Sequence, residues 1–173
     1  MKSFISTALV SCTIFAGSVS ANTPEENLVE FVDVPRYAGL WYEIASIPQF
    51  FSFACRNTTA EYTVINETQI GIFNKCSVAG LFDIDIEGTG TVVDTTSNAF
   101  LEIDFDRFSG LGEYLIIDLA EDYSYALVTD TNADSLFVLS REKTLDADIY
   151  EELLAKGASV GADISRVRLT RQD

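Results

Sequence analysis

Along most of the chain apolar and polar side chains alternate with a period of two, in short runs separated by turn residues, the signature of half-buried strands. Gly39 to Ile47 carries Trp41, Tyr42 and Ile44, and Thr59 to Ile65 sets Ala60, Tyr62 and Val64 against Glu61 and Thr63. Gln69 to Ser77 carries Ile70, Ile72 and Asn74. Phe82 to Glu87 alternates strictly, and Gly88 and Gly90 after it suit a strand that bends sharply. Phe100 to Phe105, Glu113 to Leu119, Tyr123 to Thr129 and Ser135 to Arg141 complete eight predicted strands, divided by turn chemistry such as Ser109-Gly110 and Asp130-Thr131-Asn132.

The period changes once. Asp146 can cap a helix running to about Val160, with Ile149, Leu153 and Leu154 as its apolar stripe and Gly161 closing its C-terminus. A last short strand is expected over Ser165 to Leu169. Eight antiparallel strands on short connections followed by one helix predict an all-β fold, an up-and-down β-barrel with a C-terminal α-helix packed outside, because closure removes exposed edges. A two-sheet sandwich has the same strand count and is the alternative.

The N-terminal 21 residues read as an export signal: Lys2, an uncharged apolar stretch from Phe4 to Gly17, and Val19-Ser20-Ala21 before a cleavage point after Ala21. Leu9-Val10-Ser11-Cys12 also fits a bacterial lipoprotein box, with Cys12 lipidated. The chain therefore divides into a signal peptide (1–21), an N-terminal segment (22–33) and one domain (34–173). After cleavage at Ala21, Cys55 and Cys76 are the remaining cysteines, and in an oxidising compartment an even count favours a disulfide. A reversal at Asn66 to Gln69 brings Cys76 opposite residue 59, so a bend near Arg56 would put Cys55 within bonding range.

Composition removes whole classes of function. Acidic residues outnumber basic ones by 27 to 11, for a formal charge of −16, so the surface repels phosphate backbones and nucleic-acid binding is not expected. The absence of histidine removes the usual general base and every Ser-His or Cys-His nucleophile pair. No metal site or cofactor is expected: Asp130 to Asp134 opens like a calcium loop, but Ser135 stands where glycine is required and Arg141 where a glutamate should bind. Asp104 and Asp106 fall on the solvated face by alternation, which argues against acid–base work. Asn57-Thr58-Thr59 and Asn66-Glu67-Thr68 are glycosylation sequons in a eukaryotic host.

Gly39-Leu40-Trp41-Tyr42-Glu43, Asp122-Tyr123 before the seventh strand and Arg141 at the end of the eighth follow one another in the order and spacing of the lipocalin signature. With Tyr37 to Ala45, Thr59 to Tyr62, Tyr125 to Val128 and Leu139 to Arg141, the chain from Val34 onward resembles the lipocalins, in particular the bacterial outer-membrane and apolipoprotein D-like members. Glu121 departs from the common Thr-Asp-Tyr and cannot offer a hydroxyl to its turn. The resemblance implies that Gly39, Trp41, Asp122, Tyr123 and Arg141 are structural, with Arg141 stacked over the Trp41 indole at the barrel floor.

Parity then assigns a calyx. Ala60, Tyr62 and Val64, then Ile70, Ile72 and Asn74, then Phe82, Ile84 and Ile86 point inward if their neighbours are solvated. Later strands are apolar at both parities. Family positions carried over by the resemblance put Leu101, Ile103 and Phe105, then Tyr114 and Ile116, then Phe137 and Leu139 inside. Such a mainly apolar pocket with few polar groups suits a small lipophilic or amphiphilic ligand. The resemblance implies a fatty acid or lysophospholipid, carried or stored outside the cytoplasm (periplasmic or secreted, or at the outer membrane) and used in envelope lipid maintenance. The alternative is an isomerase-type enzyme on the same barrel, using Cys55 or Cys76 as a free calyx thiol. Phe50, Phe51 and Phe53, in the long connection after the first strand, form either a lid or a surface for membranes or a second copy.

Overall fold

The computed structural model describes residues 22–48, 54–107 and 111–173. The predicted signal segment with Cys12, and Phe50, Phe51 and Phe53, lie outside the described residues.

Eight strands run antiparallel in chain order: β1 (Gly39–Ser46), β2 (Cys55–Asn66), β3 (Gln69–Val78), β4 (Phe82–Val92), β5 (Phe100–Phe105), β6 (Leu111–Leu119), β7 (Tyr125–Thr129) and β8 (Leu136–Ser140). β1 pairs with both β8 and β2, so the sheet closes on itself and the sandwich alternative falls. A ninth strand, β9 (Arg168–Leu169), adds to β1 beside Ala45 and Ser46. It is shorter than expected, because Ile164–Arg166 form a 3-10 turn capped by Asp163.

The barrel has two cores. Inside, Trp41, Tyr62, Ile72, Leu101, Ile103 and Leu139 belong to one buried cluster. Outside, Ile44, Leu115, Ile117, Leu127, Leu136 and Val138 form a second under helix α2 (Ala147–Ser159). Asp146 caps α2 by accepting from the Asp148 and Ile149 N–H groups, and Gly161 follows it at φ +104°. Gly157 lets the helix seat closely, since a Cβ there would lie 2.9 Å from Leu136 Cδ2.

Residues 28–32 strap across one end of the barrel. Val29 N–H donates to Ile116 O and Val32 N–H to Ser97 O, and Val32 is buried. A short helix, α1 (Val34–Tyr37), capped by Asp33, completes this closed end.

The bend expected at Gly88 and Gly90 is a close approach. A Cβ on Gly88 would meet Asp104 O at 2.6 Å, and one on Gly90 would meet Ile70 at 3.0 Å. β4 pairs with β5 as a ladder only from Gly88 onward; before it β4 is laddered to β3, and bonds from Asp106 N–H to Glu87 O and from the Arg107 guanidinium to Asp85 O tie it to the end of β5. Gly88→Ala is expected to cost about 1–3 kcal/mol by forcing β4 off β5, read as a lowered midpoint of denaturant unfolding.

Candidate functional site

The closed end is built around one tryptophan. Trp41 is fully buried, its indole Nε1–H donates to Tyr37 O at 2.8 Å, and the Arg141 guanidinium lies 3.7 Å above its ring. That guanidinium also donates to the carbonyls of Arg36, Tyr37, Ala38 and Leu40, and its Nε–H to Tyr123 O. The last carbonyls of α1 have no partners within so short a helix, and Arg141 supplies them. Gly39, at φ +96°, carries the chain from α1 into β1 beneath the guanidinium, in a conformation glycine favours.

Asp122 accepts from Ser124 N–H, and the buried Tyr123 hydroxyl accepts from Asp33 N–H at 2.8 Å. The turn that Glu121 leaves without a hydroxyl is held from the other side: Arg36 stacks on Tyr123 at 4.1 Å and donates to Glu121 O.

Above this floor three tyrosine hydroxyls meet. Tyr114 Oη is 2.7 Å from Tyr37 Oη and 2.9 Å from Tyr62 Oη. With Val32, Ile116 and others they line a cavity of about 10 Å³, at the lower limit for a single water. Burial pushes Tyr62 up to about 12 and lifts Tyr37 and Tyr114 well above the ordinary tyrosine value. Raised phenol pKa values keep the folded state protonated while the unfolded chain ionises above about pH 10. Stability is therefore full below pH 10 and falls toward pH 12, by about 2–3 kcal/mol from Tyr62 alone. Unfolding midpoints and tyrosinate absorbance followed together over that range check this. Ionisation of Tyr37, Tyr62 or Tyr114 near pH 10 in the folded protein, read as the step that each Tyr→Phe variant removes from the tyrosinate titration, would contradict it.

Ala60, Ile72, Ile116 and Leu139 join Tyr62 and Ile103 in the interior cluster, with Tyr114, Phe105 and Phe137 packed partly buried against it. Asn74 and Ile86 are half-buried. On β4 exposure of the inward parity then rises away from the floor, to 38% at Ile84 and 58% at Phe82, while on β3 Cys76, opposite Ile84, stays buried in its disulfide. Val64 is a correction: it is 46% exposed and lines an outer groove with Phe31, Val34 and Pro35. The N-terminal strap crosses the barrel at the level of Val32, so β2 beyond Tyr62 lies outside the lumen.

Cys55 and Cys76 form a disulfide with Cα atoms 5.4 Å apart. The bend that permits it lies beside Arg56: Asn57 has φ 53°, and the β2–β3 register shifts between Arg56 and Thr59, so Cys55 still pairs as strand, opposite Val78. The Asp130 carboxylate accepts from the N–H groups of Asn132, Asp134 and Ser135, which makes that segment a hairpin turn. Asp104 is exposed on the outer face. Of the two sequons, Asn66 sits in the exposed β2–β3 turn, whereas Asn57 accepts from Asp173 N–H.

Several interior polar residues escape parity reasoning. Tyr37 reaches the lumen from α1 and not from a strand. Glu43 and Ser46 face the lumen opposite Leu139 and Phe137. Trp41 two residues before Glu43 signals that orientation, but the bulge between Glu43 and Ala45 hides Ser46. Ser46 and Thr170 hydroxyls donate to the Glu43 carboxyl, and burial pushes that carboxyl up.

A barrel sealed at one end by an Arg-covered indole, with apolar interior side chains packed above it, is the architecture of a small-molecule-binding barrel. The family model described as a lipocalin-like domain matches residues 32–172, and the chain belongs to that family, whose members bind small hydrophobic ligands. It is 29% identical to the outer membrane lipoprotein Blc of Escherichia coli K12 over 92% of this chain and 91% of that one. It is 30% identical to apolipoprotein D of Macaca fascicularis, covering 83% and 79% respectively. Among solved structures, insecticyanin of the tobacco hornworm Manduca sexta shares the fold at a TM-score of 0.68 and 20% identity, with 83% and 82% covered.

Proposed function

We propose that the protein binds a single-chain amphiphile, a fatty acid or a lysophospholipid, in the lumen and carries or stores it outside the cytoplasm, in the service of envelope lipid maintenance. The observation that carries this reading is the rise in exposure along the inward parity of β4, from half-buried Ile86 to 38% at Ile84, above an interior cluster that is packed and buried. Packed side chains fill the closed half, and the apolar wall of the other half is left for a ligand's alkyl chain, worth about 0.8 kcal/mol per buried CH₂. Ala60, Ile72, Asn74, Ile84 and Ile86 on one side and Ile103, Phe105, Phe137 and Leu139 on the other are the proposed contacts, with Tyr62, Tyr114 and Ile116 beneath them.

Export is supported by the signal-like first 21 residues, by the disulfide, which suits an oxidising compartment, and by the name of the relative Blc, an outer membrane lipoprotein. An isomerase would need a thiol at Cys55 or Cys76, and both are bonded. Native mass spectrometry of the protein purified from its own host tests the reading. A retained single-chain lipid is expected. A ligand-free mass that stays unchanged after incubation with lysophospholipid would refute it.

A further inference from the structure

The lumen wall has a polar seam. β1 and β2 pair only over Gly39–Tyr42 and Thr59–Tyr62, and above that level the C-terminal residues stitch the gap. Thr170 N–H donates to Ile44 O, Asn57 N–H to Arg171 O, and the Gln172 carboxamide Nε2–H₂ bridges Glu43 O at 2.8 Å and Thr58 O at 2.9 Å. Continuing the register of Trp41 opposite Ala60 sets Glu43 across from Thr58, while Asn74 pairs with Ala60 on the next strand.

Among the described residues the buried side-chain N and O atoms with no hydrogen-bond partner are Thr58 Oγ1, Asn74 Oδ1 and Gln172 Oε1. All three belong to this one stretch of wall. Gln172 cannot be turned to cure its orphan, because both acceptors it bridges are backbone carbonyls. Buried polar atoms are nearly always paired, and each unpaired one is costly, so three in one place need a reason. Two are carboxamide oxygens that can only accept, and the third is the Thr58 hydroxyl, which can accept or donate; the neighbouring ionisable group is the carboxyl of Glu43. The two amide oxygens lack a donor, and a ligand hydroxyl can donate to one of them and accept from Thr58.

The geometry points to a polar subsite at the β1–β2 seam, built from Glu43, Thr58, Asn74 and Gln172, that takes an uncharged hydroxyl of the lumen ligand, as a lysophospholipid offers and a fatty acid does not. This rests on ligand binding in the lumen and narrows its chemistry: an ionised carboxylate brings only further acceptors to the seam, whereas an alcohol brings the missing donor.

Displacement of lumen-bound Nile red tests it with dodecanol and undecyl methyl ether, which have equal numbers of heavy atoms and differ in the donor. Dodecanol is expected to bind about tenfold more tightly, the equivalent of one buried hydrogen bond. In the Thr58→Val/Asn74→Leu double variant the ratio should fall to about one, and the melting temperature should hold or rise because two orphans are gone. Thr58→Val alone should lower the ratio part of the way. Equal affinities in the unaltered protein, or a ratio that survives the double variant, would overturn the subsite while leaving lumen binding intact. If Nile red and both ligands fail to bind, lumen binding itself falls, and the subsite with it.

Discussion

Arg141→Ala is expected to shift the emission of Trp41 to longer wavelength and to lower stability by about 3 kcal/mol, a fall in melting temperature of about 6–12 °C for a chain of this size. Trp41 is the only tryptophan, so the emission reports one site. Two losses combine. The stack over the indole contributes about 0.5–2 kcal/mol, and the carbonyls of Arg36, Ala38 and Leu40 lose their charged donor while Tyr37 O keeps only the Trp41 indole N–H. Arg141→Lys should recover little, because a single ammonium cannot reach carbonyls that a planar five-donor fork spans. Unchanged emission and melting in Arg141→Ala would mean that the guanidinium does not seal the barrel.

The second large effect is expected from the disulfide. Replacing Cys55 and Cys76 together by serine removes a link across a sequence separation of 21 residues, which the chain-entropy account values at about 3 kcal/mol. The damage should be local as well as global. Cys55 and Arg56 pair with Val78 and Ser77 beyond the register shift, and Arg56 also reaches Asp173 at 3.6 Å. Faster amide exchange is therefore expected at the open end of β2 and in the C-terminal stitch before it is seen at the floor around Tyr37. Uniform exchange changes would contradict this order of loosening.

How much of this was legible in the sequence follows from which face of each strand meets water. β2, β3 and β4 have a solvated outer face, so Glu61, Thr63 and Asp85 mark the parity and Tyr62, Ile72 and Ile86 follow. On β6, β7 and β8 the outer face lies under α2, both parities are apolar, and alternation cannot tell Ile116 from Ile117 or Val128 from Leu127. Family resemblance resolved what the pattern left ambiguous there. The floor was legible only through the family resemblance that Gly39, Trp41, Asp122, Tyr123 and Arg141 carry by their order and spacing. The seam was not: it depends on the bulges at Asn57 and between Glu43 and Ala45, and on a C-terminal tail whose sequence shows no period at all. Val64 was misplaced because strand parity continues past the point where the lumen ends.

The central claim, that the open half of the barrel is an apolar lumen that binds the ligand's alkyl chain, is tested most directly by the chain-length dependence of affinity. Calorimetric titration with lysophospholipids of about eight to about sixteen carbons should show each added CH₂ strengthening binding by about 0.8 kcal/mol, roughly fourfold, until the lumen is full and the gain stops. Phe137→Ala should weaken the whole series, whereas Glu61→Ala, exposed on the outer face opposite Phe73, should leave it unchanged. Affinity that does not respond to chain length, or that is lost equally with Glu61→Ala, would place the ligand somewhere other than this calyx.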